Sequence, residues 1–217
     1  MKNRLAVIST KNPKKEVLIK TIFNIKNFYP EFDIVIIDSD SDDKATFLLV
    51  PDECMIEDCK NKNWVLGAWY YAFNKYNNYK VYMFIQDSLI PNCRIPTLDT
   101  EVYENGTIYT CNYNALLMDG GYIDSLKNVY INTELDFISK LDPKIHITGG
   151  AHIFFITNHE EVSKILQLEH AYIEKKIVKT KIDCWLSERT LGIMADKCIK
   201  RIDVSPFFSK INCRRDY

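Results

Sequence analysis

The residues best suited to chemistry are carboxylates standing where apolar runs end. Asp38 follows Ile34-Val35-Ile36-Ile37 and opens the stretch Asp38-Ser39-Asp40-Ser41-Asp42-Asp43. Open α/β sheets bind ligands outside the carboxyl ends of their strands, where a carboxylate can accept from a base imide N–H or a ribose hydroxyl. The same stretch also fits a solvated acidic turn in which Asp42 caps the next helix. Asp87 stands in the same relation to Val81-Tyr82-Met83-Phe84-Ile85, within Gln86-Asp87-Ser88. A hard divalent cation on two phosphates needs only one or two protein carboxylates, the substrate and water supplying the rest. The plain alternative for Asp87 is an Asx-turn leaving a strand.

Further candidates are spread along the chain. Gly149-Gly150-Ala151-His152 precedes an apolar strand. With only 7 glycines in 217 residues, a Gly-Gly step points to a positive φ or a close approach to a bound group. His152 could ligate a metal or act as a base, or be a packed, hydrogen-bonded residue. Asp183 and Glu188 are the late carboxylates able to serve as a general base. Five residues separate them, about 140° apart on a helix, so they need not share a face. Asn63 starts an aromatic-rich segment in which Gly67-Ala68 would let a backbone approach; Trp64, Trp69, Tyr70 and Phe73 read as packing. Lys11, Lys14 and Lys15 could approach a diphosphate, and read more simply as solvated lysines at a helix start.

These positions need elements to hold them. Leu5–Ile8 reads as a buried strand, closed by Ser9-Thr10-Lys11-Asn12-Pro13. Val17, Leu18, Thr21, Ile22, Ile25 and Phe28 repeat at helical spacing over 15–28, and Tyr29-Pro30 ends that helix. Phe32–Ile37 is a strand covered on both faces, as in parallel sheets. A helix from Asn63 to Phe73 comes next, and then a strand over 81–85. Further strands are expected at Ile108–Cys111, near Ile145–Ile147 and at Ile153–Ile156. Helices are expected at 135–141 (closed by Asp142-Pro143), after Asn158 as N-cap, and over 183–198. Asn105-Gly106-Thr107 matches a glycosylation sequon but reads as a turn.

Composition narrows the class. Charged residues make up 26% and apolar residues 47%, with a net charge of −1, so no basic field exists to hold nucleic acid or an anionic membrane. Cys54, Cys59, Cys93, Cys111, Cys184, Cys198 and Cys213 include no Cys-x-x-Cys pair, against a disulfide framework or zinc site. No transmembrane run and no secretory signal stand out, so a soluble, cytoplasmic protein is expected. One α/β domain over 1–217 is expected, a nucleotide-binding part to about residue 90 and an acceptor and catalytic part beyond it. The chain could also be one domain of a longer polypeptide.

In their order, these features resemble the nucleotide-sugar glycosyltransferases of the GT-A fold. The acidic stretch "VDNNSSD" of that group is similar to Ile37-Asp38-Ser39-Asp40-Ser41-Asp42. Its "N-x-G-x-x-x-A" helix has a looser counterpart in Asn63-Trp64-Val65-Leu66-Gly67-Ala68, and its metal-binding "DxD" element in Phe84-Ile85-Gln86-Asp87-Ser88. The glycine pair and the late acidic helix also have counterparts, so the likeness runs from about Leu5 to Met194. The Lys-, Asn- and Ile-rich composition resembles glycosyltransferases of large DNA viruses of algae and amoebae, which would place the protein in host cytoplasm. Two departures stand out: DxD is reduced to one carboxylate, and the usual late Glu-Asp pair is Glu188-Arg189.

The resemblance implies a GT-A-like (Rossmann-like), mostly parallel mixed sheet flanked by helices. It implies transfer of a sugar from a nucleoside diphosphate sugar, UDP-linked by expectation, to a hydroxyl of a glycan or glycoprotein. Ser9, Thr10, Asp38, Asp40, Asn63, Gly67, Gln86, Gly149 and Gly150 would contact the donor. Asp87, with His152 as a second candidate, would hold Mn²⁺ or Mg²⁺. Glu188 would be the base of an inverting transfer, with Asp183 its rival. Two other classes remain: a sugar nucleotidyltransferase, for which the glycine-free segment Ser9–Lys15 is a poor phosphate loop, and an inactive nucleotide-sugar-binding module. On the glycosyltransferase reading, Asp38→Ala weakens nucleotide binding with little change in melting temperature; a capping role would show instead as lost stability.

Overall fold

The buried runs at 5–8, 34–37 and 81–85 form neighbouring strands of one sheet. The computed structural model describes residues 2–60, 64–111, 114–117, 136, 140, 146–149, 154–174 and 200–211. In chain order these give β1 (Lys2–Thr10), α1 (Lys15–Phe28), β2 (Asp33–Asp38), a 3-10 turn (Ala45–Leu49) and β3 (Met55–Asp58). Next come α2 (Trp64–Lys75), β4 (Tyr79–Gln86), β5 (Leu89–Pro91), α3 (Leu98–Asn105) and β6 (Ile108–Thr110). The chain continues through β7 (Asn114–Leu117), β8 (His146–Gly149), β9 (Phe154–Asn158) and α4 (His159–Glu174). It then forms β10 (Arg201–Asp203), a second 3-10 turn (Ser205–Phe207) and β11 (Phe208–Lys210).

The main sheet has seven strands in the order β10-β6-β9-β4-β1-β2-β3, with β7-β8 and β5-β11 as separate pairs. β1, β2, β3 and β4 are mutually parallel, and β9 alone runs antiparallel to its neighbours β4 and β6. The fold is thus α/β with a mostly parallel mixed sheet. Its strands come from both parts of the chain, β1–β4 from the first 90 residues and β6, β9 and β10 from the rest.

Alternation along the strands sorts the core into two layers. Ala6, Ile8, Ile34, Ile36, Met83 and Ile85 pack under Leu18, Ile22 and Ile25 of α1. Leu5, Val7, Val35, Ile37, Tyr82 and Phe84 pack against Leu66, Trp69 and Phe73 of α2 and Val162 and Ile165 of α4. Trp69 lies 5.4 Å from Phe84 and 5.3 Å from Phe155 by ring centroids, so these helix aromatics are core. No helix among the described residues is long and apolar enough to cross a membrane.

Several elements lie where the sequence gives little signal. β3 is an edge strand whose exposure alternates, with charged Glu57 and Asp58, which suits an edge but hides the strand pattern. β5, β10 and β11 have three residues each, too short to show a period. α3 ends on Gly106 at φ 62°, the left-handed cap that glycine takes without a Cβ clash, so the Asn105-Gly106-Thr107 segment is a helix stop. The helix expected over 183–198 and nearly all of the one at 135–141 lie outside the described residues.

Asn158 caps α4 as its sequence suggests, accepting from the Glu161 N–H at 2.9 Å, while its own amide donates to Val102 O at 3.3 Å. Asn158→Ala should cost about 1 kcal/mol or somewhat more of stability, read as a lower urea midpoint at unchanged slope. An unchanged midpoint would remove the cap from the account.

Candidate functional site

The chain builds β1, β2 and β3 outward in one direction, then places β4 on the far side of β1. The carboxyl ends of β1 and β4 therefore flank a topological switch point, the place where open α/β sheets bind ligands. Thr10 ends β1 and is paired with Asp38 of β2, while Ser9 is paired with Gln86 of β4. Thr10 and Asp38 follow Ile8 and Ile36 by two residues and so share the α1 face. Asp87 follows Ile85 in the same way.

The hydrogen bonds agree with this alternation. Thr10 Oγ1 donates to Asp87 Oδ2 at 2.5 Å. The Asp87 N–H donates to Ser9 O at 3.2 Å, and Thr21 Oγ1, on α1, donates to Asp87 O at 2.8 Å. Asp87 is thereby positioned from β1 and from α1, and the residue is 2% exposed. Ser9 and Gln86 fall by alternation on the α2 face, and Ser9 Oγ donates to Ile85 O at 3.4 Å.

Asp38 arrives at the rim but commits its carboxylate to its own loop. Oδ1 accepts from the Ser41 N–H at 3.1 Å and from Ser41 Oγ at 2.5 Å, and Oδ2 accepts from the Lys44 ammonium. The residue is 1% exposed. Lys44 Nζ also reaches Asp58 Oδ2 at 3.1 Å, bridging β2 and β3. The loops after β1 and β2 are stitched to one another. The Asn12 N–H donates to Ser41 Oγ at 2.7 Å, Asn12 Nδ2 to Asp42 Oδ2 at 3.0 Å, and the Asp42 N–H to Asn12 Oδ1 at 2.9 Å. Asp42 is therefore tied to Asn12, and it is Asp43 that accepts the Ala45 N–H at the 3-10 turn, 2.8 Å away.

Backbone strain gathers on this edge. Among the described residues the non-glycines with positive φ are Asn12 (48°), Asp40 (63°) and Lys60 (45°). Each stands two residues beyond the end of β1, β2 or β3. Asn and Asp tolerate the left-handed region, but a lysine there is uncommon, and such strain concentrates at ligand sites. This turn leaves Asp40 exposed, as Asp42 and Asp43 also are, beside the buried Asp38 and Ser41.

The remaining expected residues divide. Gly67 is buried in the first turn of α2, whose start follows β3 at the same sheet edge. Gly149 lies in β8, paired with Asn114 in a strand pair separate from the main sheet. Asn63, Gly150, His152, Asp183 and Glu188 lie outside the described residues. Thr21, Ser41, Lys44 and Asn12 belong to the site by geometry and do not stand out as site residues in the sequence. Thr21 alone carries a signal there, a hydroxyl on an otherwise apolar helix face.

No group of three His, Cys, Asp or Glu side chains that could hold a metal ion converges among the described residues. The residue type of Asp87 fits a hard cation shared between one carboxylate and phosphate oxygens. No protein-family model matches the chain, and no curated protein matches it significantly.

The bonds of Asp38 to Ser41 overturn the expectation that Asp38→Ala leaves the melting temperature nearly unchanged: the substitution strips the Ser41 N–H and Oγ–H of their acceptor in a buried turn, so a loss of about 2 kcal/mol is expected. Equal melting temperatures for the two proteins would contradict the clamp. The Asp58 carboxyl is held below the usual aspartate range by the Lys60 N–H, with burial opposing and Lys44 adding. A lowered folded pKa stabilises above the unfolded value of about 4 and is lost as pH falls further. Asp58→Asn should therefore flatten the acid-side decline of melting temperature below about pH 4; an unchanged decline would acquit Asp58.

Proposed function

We propose that the protein is a GT-A-like glycosyltransferase that takes a nucleoside diphosphate sugar, UDP-linked by preference, and transfers its sugar to a hydroxyl of a glycan or glycoprotein. The observation that carries this reading is the joint placement of Asp38, Thr10 and Asp87 on one face of one rim, across the β1–β4 switch point. The gathering of left-handed residues on the same edge supports it independently.

On this reading the two ends of the rim have different tasks. Asp38 positions: it orders the loop through Ser41 and Lys44 and so presents Asp40, whose exposed carboxylate meets the ribose hydroxyls. Asp87 is the residue that would hold Mn²⁺ or Mg²⁺ on the diphosphate. Such a cation, when bound, supplies neutralisation of charge on the departing diphosphate. Thr10 orients Asp87 for that contact, since its hydroxyl fixes Oδ2. The proton of the acceptor hydroxyl would pass to a carboxylate from the later part of the chain, Glu188 or Asp183.

Asp87→Asn keeps an oxygen able to accept from Thr10, so the fold should survive while cation-dependent donor binding is lost. A thermal-shift titration with UDP, with and without Mn²⁺, reads both at once. A Mn²⁺-dependent stabilisation by UDP should appear in the parent protein and be absent from the variant. If the variant retains it, Asp87 does not hold the metal. If the parent binds UDP and UDP-sugars but turns none of them over, the binding-module reading replaces the enzyme.

A further inference from the structure

The segment that ends β1 holds both sides of the rim. Thr10 fixes the carboxylate of Asp87, and its carbonyl accepts the Ser39 N–H at 2.9 Å. Two residues on, the Asn12 N–H donates to Ser41 Oγ at 2.7 Å. The Asn12 side chain then meets Asp42 in both directions. Its Oδ1 accepts the Asp42 N–H at 2.9 Å, and its Nδ2 donates to Asp42 Oδ2 at 3.0 Å. Residues 39, 41 and 42 are thus all bonded to Thr10 or Asn12, and Asp40 is the residue between them. Ser41 Oγ in turn donates to Asp38 Oδ1 at 2.5 Å, so the clasp continues into the buried carboxylate.

Two left-handed residues face each other across this clasp, Asn12 at φ 48° and Asp40 at φ 63°. A left-handed residue turns the chain sharply, so the direction in which Asp40 leaves its loop depends on the bonds that hold the turn. Removing the Asn12 side chain deletes two of its three bonds to residues 41 and 42 and keeps only the one from its N–H.

We infer that Asn12 is a positioning residue that sets the place of the Asp40 carboxylate, and through it the preference for a ribose over a deoxyribose nucleotide. This rests on the nucleotide-sugar reading above, in which Asp40 meets the ribose hydroxyls. A hydrogen bond to a carboxylate is short and directional, so a carboxylate on a loosened turn keeps its charge and loses its selectivity. Orientation, rather than charge, is what Asn12 supplies.

Calorimetric titration of the full chain with UDP and with 2′-deoxy-UDP, in Mn²⁺ buffer, tests this on the parent, Asp40→Ala, Asn12→Gly and Asn12→Asp. Glycine takes the left-handed conformation without a Cβ clash, so Asn12→Gly should fold. Aspartate keeps an acceptor for the Asp42 N–H but sets two carboxylates against each other. The parent should favour UDP by about tenfold and Asp40→Ala should lose that preference. Asn12→Gly should bring it down to about threefold or less, with Asn12→Asp between. A parental ratio in Asn12→Gly beside a lost preference in Asp40→Ala overturns the inference and leaves the ribose contact standing. A parent that binds the two nucleotides alike, or an Asp40→Ala protein that discriminates as the parent does, removes the ribose contact and this inference with it. A parent that binds neither nucleotide removes the nucleotide-sugar reading as well.

Discussion

The hydrogen bond from Thr10 to Asp87 joins the two strands that diverge in connectivity, and the site's geometry hangs on it. β1 and β4 are neighbours in the sheet, yet the chain leaves β1 for β2 and leaves β4 for β5. Above their last ladder bonds, side chains must hold the two ends in register. Thr10 does so at the carboxylate of Asp87 and Thr21 at its carbonyl, while the main-chain carbonyl of Ser9 accepts the Asp87 N–H. A group fixed from several sides loses little freedom when it meets a ligand, which is what preorganisation of a charged contact requires.

Beside it stands a loop assembly that stores strain. Left-handed residues come after β1, β2 and β3, and each costs backbone energy of up to about 1–3 kcal/mol, least for Asn12 and Asp40. The bonds that offset the cost are local: Asp38 to Ser41 and Lys44, and Asn12 to Ser41 and Asp42. Support comes from below, where Ile8, Ile36 and Ile85 end their strands in a dry layer beneath α1. A rim of polar, strained loops is tolerated because the sheet under it is apolar on both faces.

Length and repetition decide which elements are legible in the sequence. α1 is readable to its ends, since fourteen residues show a helical stripe and Tyr29-Pro30 marks the stop. β1, β2 and β4 are readable as runs of consecutive apolar residues, which both-face burial demands, and each is longer in the structure than its apolar run. The edge strand β3 is not, because an edge must carry charge, and β5, β10 and β11 are too short. At the site, strand-end position locates Asp38 and Asp87 on one edge. Sequence cannot show that Asp38 is consumed by Ser41 and Lys44, since that depends on how a six-residue loop folds back. The signal for such a clamp, a serine and a lysine three and six residues after a strand-end aspartate, is too common to stand alone.

The electrostatics of the rim then give a bound nucleotide a direction. At the β2–β3 end the charge of Asp38 is met by Lys44, which Asp58 holds from the other side, and burial makes that pairing obligatory. A second ion brought there would compete with bonds already formed, so this end suits a neutral partner that donates hydrogen bonds, as a nucleoside does. At the β4 end Asp87 has a neutral donor, Thr10, on one oxygen, in a position suited to recruiting a cation. Phosphates belong where a cation can be recruited to balance them. On the proposed function, then, the nucleoside lies over β2, where the carboxylate of Asp38 is already met by Lys44 and Ser41, and the diphosphate lies over β4 beside Asp87.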